Sequence, residues 1–576
     1  MHEAQRAAYP VYPLCPPVVQ KGHCHVNLIR KMPCSFSWDW APSFPSTGVW
    51  KPIWLEGSNG VVIRDVLVET IPHKDFDTAT AFAFVVNDVP VYAKGSNWVP
   101  PDIFPERITN SYVRELLLSV KEANMNMLRV WGGGVYETDY FYSFADELGI
   151  LIWQDMMFSA SLYPADRSFL QSVTTEVQQQ VRRLQYHPSV VIWAGNNENE
   201  DALASGWWKV QKDYDLYRTE YLKLYIGVIK TVVETEDKTR PFVSSTPSNG
   251  RKTAEDGWIS SSPNAEMNGD GAHFAARIIN AYFRTNNASW NGRLADYDMV
   301  SYLTQVVQAE AVRTGCERFR RLRGHLYDGL GHNMGVLFWQ LNDIWPAPSW
   351  ASIEYGGRWK MLHYFARKFF SPIIVSPYLE RDEEFRVFIV NDLLTPVEGA
   401  MLDVTLYSSL SFTPLWGFQL QPKVRSALSA DLGSYPVSDQ LRRHSCSRFL
   451  LCFFWFVLRD QTTGKLLAPE AYLLPGDFKE THLHATTIKV TSVVGPTAAP
   501  REPGFSTFDV TLRASSIALF VWLTARHLSG RFSDNGFLLK NPTIVVQFST
   551  RENVTAEALE KAIIIETLSN YVRTID

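Results

Sequence analysis

"HPSVVIWAGNNENE", residues 187–200, decides how the chain is read. An apolar run from Val190 to Trp193 passes through Ala194 and Gly195 into Asn196, Asn197 and Glu198, with Glu200 two residues on. A short apolar run bounded by His-Pro on one side and glycine on the other fits a strand buried on both faces. Such a strand, ending in two amides and a carboxylate, carries polar groups to the rim of a buried sheet, where they can meet a ligand. A carboxylate placed there can exchange protons with a bound molecule. Covalent or acid–base chemistry then asks for a second acid, and the rest of the chain is searched for it.

The same rhythm runs outward on both sides. Upstream, "VPVYAKGSNW" from 89, "MNMLRVWGGG" from 125 and "ILIWQDMM" from 150 read as strands. The amphipathic stretches "SYVRELLLSVKEAN" and "DYFYSFADELG" lie between them, and a long helical pattern follows from about 165 to 186. Downstream come the helical "YDLYRTEYLKLYIGVIKTVVE", the strand-like "PFVSSTPS" and, after an interruption over about 250–298, the helix "MVSYLTQVVQAEAVRTGCERFRRLR" and the strand "MGVLFWQLNDIW". "GAHFAA", from 271, is read as the start of a sixth strand inside the interruption. Apolar strands alternating with helices predict a parallel sheet covered by helices, here a (β/α)8 TIM-type barrel with six or seven of its eight strands countable. Residues 1–60 lack helical periodicity, and alternating patterns over about 61–88 and after about 372 predict all-β segments. The expected class is therefore multidomain, α/β plus all-β. The "AEALEKAII" segment is read as a short C-terminal helix.

Composition narrows the partners. Of 576 residues 46% are hydrophobic and 20% charged, and the net charge of −5 is spread without long runs, so neither nucleic acid nor an acidic membrane surface is an expected partner. The longest apolar run, "FLLCFFWFVL" at 449–458, is too short to span about 30 Å of hydrocarbon and is read as a buried strand. The opening "MHEAQRAAYPVYPL" has no apolar leader core, so no signal peptide is read there. Six cysteines occur without a CxxC; Cys15 and Cys24, nine apart in a proline-rich stretch, are the expected disulfide, and no metal site or cofactor is expected. Asn287-Ala-Ser and Asn553-Val-Thr are glycosylation sequons and point to the secretory route.

Barrel chemistry sits at the C-terminal ends of the strands. Those ends offer Asn97 and Trp98, Arg129 and Trp131, Gln154 and Asp155, Asn196, Asn197 and Glu198, then Trp339, Asn342 and Asp343. This is an aromatic cup with amides, an arginine and acids, suited to sugar hydrolysis. The 19 Trp and 24 Tyr of the chain fit that reading, although most are expected in cores. Glycines 132–134 have no GxGxxG or GK[ST] continuation and are not read as a phosphate loop. His482 and His484 are read as exposed strand histidines, and Glu200 as a solvated acid or one beside the site rather than in it.

"HPSVVIWAGNNE" resembles the acid/base motif of glycoside hydrolase family 2, and the doubled Asn with "RVWGGGVYE" is similar to its β-mannosidase branch. "CSFSWDWAPSFPSTGVWKPIWLEG" (34–57), "KGSNWVPPD" (94–102), "ANMNMLRVWGGG" (123–134), "FWQLNDIWPAPSWASIEYGGRWKMLHYFA" (338–366) and "GRFSDNGF" (530–537) resemble further blocks of that branch. The resemblance covers most of the chain except roughly 58–88 and 250–298. It implies removal of terminal β-mannose from glycans by a retaining mechanism, in a lysosomal setting. It makes Glu198 the general acid/base and puts Asn197 on the sugar 2-hydroxyl. Trp131 and Trp339 become walls of the mannose pocket, Asp39 a hold on distal hydroxyls, and Arg129 the group that orients the nucleophile carboxylate. The implied layout is a jelly-roll remnant over 1–60, a β-sandwich remnant over 61–88, the barrel over 89–371, and β-sandwiches over 372–485 and 486–576.

The nucleophile is the departure. The family carries it in a Ser-Glu-Tyr-Gly-like segment on strand seven, expected here between His273 and the helix near 299, and that interval contains no Glu. Glu354 in "SIEYGGRW" belongs to the block after strand eight and does not replace it. The nucleophile is therefore unassigned. Two alternatives stay open: a glycan-binding remnant without turnover, and a sister β-glycosidase, which the doubled Asn and "WQLNDIW" disfavour.

Overall fold

The computed structural model describes the chain from Val26 to Ile575, apart from residues 39–40, 61–83, 260–278, 286–296, 381–383, 447–450, 480–482 and 499–503 and some single or paired positions. Two compact units result. One comprises Met1–Thr78, Ala93–Met267 and Leu337–Gly357; the other comprises Ala79–Tyr92, Asn268–Val336 and Arg358–Asp576.

The first unit is built on a parallel sheet of β1 (Ala93–Trp98), β2 (Met127–Val130), β3 (Leu151–Asp155), β4 (Val190–Ala194), β5 (Phe242–Val243) and the end of β6 (Gly335–Phe338), which enters the unit at Leu337. Its order is β6-β1-β2-β3-β4-β5, the arrangement of a TIM-type barrel wall. Every residue of β1 and β2 is buried, as strands covered on both faces must be. Gly95 lies where β1 meets β2: a Cβ there would come within 1.7 Å of the Met127 carbonyl oxygen, so no side chain fits between the two strands.

The helices follow their sequence signals. Asn110–Glu122 buries Val113, Leu116, Leu117 and Val120 on one stripe, and Thr109 caps it by accepting from the Tyr112 amide at 3.2 Å. Asp139–Leu148 stops at Gly149, whose φ of 69° is the left-handed cap glycine tolerates. Arg167–Leu184 starts where Asp166 accepts from the Ser168 and Phe169 amides and buries Val173, Val177 and Val181. Helix runs on through 214–236 with a π-helical middle at Leu222–Lys230. Below the sheet, Asp237 accepts from Trp193 Nε1 at 2.9 Å and from Arg240 Nη1 at 2.8 Å, which fastens the start of β5 to β4. "PFVSSTPS" yields only the two-residue β5, and "GAHFAA" lies outside the described residues.

The second unit contains the helix Tyr297–Arg321 and two all-β bodies. In one, Ile373–Glu380, Glu384–Asn391 and Leu428–Pro436 form an antiparallel sheet that faces a second sheet of Trp416–Leu420, Ala400–Ser408, Cys452–Asp460 and Ala471–Leu473. Alternate residues meet between them: Phe385, Val387 and Ile389 against Leu402, Val404, Leu406, Phe454, Phe456 and Leu458. The apolar run at 449–458 thus becomes a buried strand from Cys452 onward. In the other, Ile488–Ala498, Ser506–Ala514, Thr543–Thr550 and Arg531–Phe532 pack through Phe508, Val510, Val546 and Phe548 against the sheet of Ala518–Ala525, Phe537–Leu539 and Ile563–Glu566. Ala556–Ala562 is the short helix expected there. Phe84–Val86 and Val89–Val91 form a hairpin whose turn residues Asn87 and Asp88 both have positive φ, 49° and 64°, as a two-residue hairpin turn requires. A disulfide joins Cys446 to Cys452; Cys15 and Cys24 lie outside the described residues, as do Asn287 and His482.

Candidate active site

Parallel register sets Asn97 of β1 beside Arg129 of β2, and Asp155 at the end of β3 beside Ala194 of β4. Arg129 gathers this row into one cluster. Its Nε and Nη2 donate to the two oxygens of Asp155 at 3.2 and 2.6 Å, Nη1 donates to Asn97 Oδ1 at 3.0 Å, and Nη2 also donates to Asn197 Oδ1 at 2.7 Å. Asp155 further accepts from the Gly132 amide at 3.0 Å and Trp153 Nε1 at 3.1 Å. Its residue is 1% exposed, and burial pushes its carboxyl up despite the offsetting charge of Arg129. Among the described residues, the carboxylate that Arg129 holds is therefore Asp155, a partnership the sequence did not disclose.

Beyond β4 the chain keeps pairing with its neighbours. Asn197 bridges Ser159 on one side and Thr246 on the other, and its Nδ2 donates to Ser159 Oγ at 3.0 Å and to Glu198 Oε2 at 3.2 Å. Glu198 then turns left-handed, φ 65° and ψ 0°, and its amide donates to the Thr246 carbonyl at 2.9 Å. It precedes the helix Asn199–Ala204 without capping it by side chain, and it is half-buried. The two asparagines divide the work. Asn196 is fully buried; its Nδ2 donates to the Ser244 carbonyl at 2.9 Å, while its Oδ1 accepts from the Asn199 amide at 3.0 Å and Ser245 Oγ at 2.7 Å. The first Asn therefore caps the helix and clamps β4 to β5, and the second reaches the acid. Glu200 is 1% exposed and accepts from Ser244 Oγ at 3.1 Å and Thr253 Oγ1 at 3.0 Å, so it is a buried structural acid and not a solvated one.

Trp131 and Trp339 meet edge to face, with centroids 5.3 Å apart at 70°. Trp131 is backed by Met32, Cys34, Val99, Ile103 and Ile344, and Trp339, only partly buried, packs against that cluster. The N-terminal segment is tied to this wall by the Cys34 amide, which donates to the Gly133 carbonyl at 3.0 Å. Asp39 lies outside the described residues, between the paired strands Phe36–Trp38 and Ala41–Ser43. Glu354 sits in a turn after β6, its carbonyl accepting from the Gly357 amide at 2.9 Å.

The three glycines serve packing. A Cβ on Gly132 would come within 2.6 Å of the Phe158 carbonyl oxygen, one on Gly134 within 2.8 Å of the Pro100 ring, and one on Gly133 within 2.1 Å of the Trp131 indole. Gly133→Ala should accordingly displace the Trp131 ring and cost about 1–3 kcal/mol, the usual penalty of overpacking. Thermal melting with near-ultraviolet circular dichroism checks it; an unchanged melt and aromatic signal would mean that this wall yields freely.

Among the described residues no group of three or more His, Cys, Asp or Glu side chains could hold a metal ion, and no helix is long and apolar enough to cross a membrane. Ser159 and Thr246, which anchor Asn197 and Glu198, lie in loops with no periodic pattern to mark them.

Comparison with known proteins places this geometry. The model of the glycosyl hydrolase 2 galactose-binding domain-like family matches residues 1–51, and an Ig-fold domain model matches 483–571. The chain is 35% identical to a β-mannosidase of Capra hircus over 736 aligned positions, which cover 98% of this chain and 82% of that protein. It is 34% identical to a Bos taurus β-mannosidase with the same coverage. The aligned span exceeds the 576 residues of this chain by 160, so at least that many positions of the goat protein have no counterpart here. Among solved structures, a β-D-mannosidase of Dictyoglomus thermophilum superposes with a TM-score of 0.67 at 26% identity, over 86% of this chain and 62% of that one. By sequence and by fold, the chain belongs to the β-mannosidase branch of glycoside hydrolase family 2.

Proposed function

We propose that the chain removes terminal, non-reducing β-D-mannose from oligosaccharides with retention of configuration. The observation that carries this is Glu198, half-buried at the end of a barrel strand with its carboxyl oxygen bonded to Asn197 and a guanidinium fork behind it. In this reading Glu198 protonates the departing glycosidic oxygen and later deprotonates the water. Asn197 holds the 2-hydroxyl, Trp131 and Trp339 wall the pocket, Asp39 holds distal hydroxyls, and Arg129 orients the nucleophile. The second carboxylate, about 5–5.5 Å from the first in a retaining pair, is unassigned. The catalytic barrel spans 89–371, after remnants of a jelly roll (1–60) and a sandwich (61–88), with β-sandwiches over 372–485 and 486–576. A lysosomal setting is supported by the Cys446–Cys452 disulfide and the exposed sequon at Asn553.

Hydrolysis of 4-nitrophenyl β-mannoside, with the anomer of the first product read by NMR, tests the proposal: β-mannose released first supports it, α-mannose or no release opposes it. A second reading, glycan binding without turnover, is favoured by the interval from His273 to Met299, which contains no Glu. In that case azide should restore turnover of activated mannosides by entering the vacant position, and the product should be the inverted α-mannosyl azide.

A further inference from the structure

Asn197 sits between groups whose hydrogen-bonding roles are fixed. A guanidinium can only donate, so the Asn197 atom 2.7 Å from Arg129 Nη2 is its carbonyl oxygen. Its amide nitrogen must then face the other way, toward Ser159 Oγ at 3.0 Å and Glu198 Oε2 at 3.2 Å. An amide nitrogen can only donate, so Oε2 of Glu198 accepts whether that carboxyl is ionised or protonated. Arg129 could not hold this pose unaided. Asp155 grips it by two atoms, and Asp155 is itself held by the Gly132 amide and Trp153 Nε1.

We infer that Asp155 is a positioning residue for the proton donor: by fixing Arg129 it fixes the amide of Asn197, which donates to Glu198 Oε2 and so favours the transferable proton on Oε1. The inference rests on reading Glu198 as the acid/base. It means that the oxygen facing the glycosidic bond is selected from β2 and β3, while Glu198 itself follows β4. Arg129 and Asp155 carry opposite charges and are joined by two hydrogen bonds. Among the described residues, Glu200 has both oxygens bonded, to Ser244 and Thr253. Among the described residues, those brought up by β1, β5 and β6 are the neutral Asn97, Ser244, Ser245, Thr246 and Trp339 and, beyond Trp339, the buried Asp343, which accepts from Ser349 Oγ.

The test is the titration of Glu198 in the full chain, followed by NMR of glutamate labelled with carbon-13 at Cδ and assigned with Glu198→Gln. Asn197→Ala removes a donor to the charged form and should raise the Glu198 pKa by about one unit. Asp155→Asn frees Arg129 and with it the Asn197 amide, so it should raise the pKa as well, and it should add nothing once Asn197→Ala is already in place. Ser159→Ala removes only the second acceptor of the Asn197 amide and should leave the pKa unchanged. An unpaired Arg129 cation acting by charge alone would instead lower the pKa in either background, so a rise that vanishes in the Asn197→Ala background is the signature of the relay. A fall in Asp155→Asn, a shift that persists in the Asn197→Ala background, or no shift in Asn197→Ala would overturn the inference. Should Asp155→Asn fail to fold, the contrast between Asn197→Ala and Ser159→Ala still decides it: equal responses would reject the relay. Nothing in the titration requires turnover. A chain that hydrolyses no mannoside can still show the relay, and an active one can lack it.

Discussion

Glu198→Ala should slow hydrolysis of a β-mannoside with a poor leaving group by about 10²–10⁴-fold, the usual worth of a positioned proton donor. A dinitrophenyl β-mannoside, whose leaving group departs without a proton, should lose far less in the glycosylation step. The difference between the two substrates is the measure of acid catalysis, and initial rates for both report it directly. Azide then separates the two functional readings by stereochemistry. If a nucleophile operates, Glu198→Ala forms a glycosyl-enzyme, and azide attacks it from the face that the lost carboxylate occupied, giving β-mannosyl azide. If the nucleophile is missing, azide acts on the unmodified chain from the opposite face and gives the α-azide. Equal losses for both leaving groups would remove Glu198 from the acid role.

Arg129→Met should destabilise the first unit by about 3–5 kcal/mol, the cost of leaving one member of a buried ion pair without its partner. Asp155 is 1% exposed, and the oxygens of Asn97 and Asn197 lose their donor in the same step. Against a total stability of about 5–15 kcal/mol, that is a large share. Arg129→Lys should recover only part, because an ammonium cannot bridge three side chains in the plane of a fork. The loss should shrink as pH falls. With its cation gone, buried Asp155 binds a proton more tightly folded than unfolded, so acid favours the folded variant and rising pH removes that gain. Chemical denaturation of wild type and variants at pH 5 and pH 7.5 checks both statements. An Arg129→Met variant as stable as the parent would show that the cluster has another cation or admits water.

The repeated β-α rhythm was readable because it is local. Periodicity alone located the helices 110–122, 139–148 and 167–184 and the buried strand that enters Asn196, Asn197 and Glu198. The polar ends of those strands named the residues that cluster here, since parallel register carries equivalent positions to one rim. What periodicity could not give were partners far apart in the chain: Arg129 and Asn197 are 68 residues apart, and nothing in their spacing tells that they touch. The same limit hid the division of labour between Asn196 and Asn197, and it left Glu200 open between a solvated acid and one beside the site, where Ser244 and Thr253 hold it buried. Cys446 and Cys452 were passed over because a strand with its first residue in a disulfide has the same apolar pattern as one without.

The left-handed backbone at Glu198 bears on the history of this chain. Holding a residue with a Cβ at φ 65° costs about 1–2 kcal/mol that glycine would not incur. The helix that follows gains nothing from glutamate at that point: the side chain does not cap it, and the amide would reach Thr246 from any residue in the same conformation. Stability and chemistry therefore pull in opposite directions at one position. A lineage that had stopped using the carboxylate could relax toward Gly or Asn with a firmer fold as the result, whereas this chain still carries the strained acid.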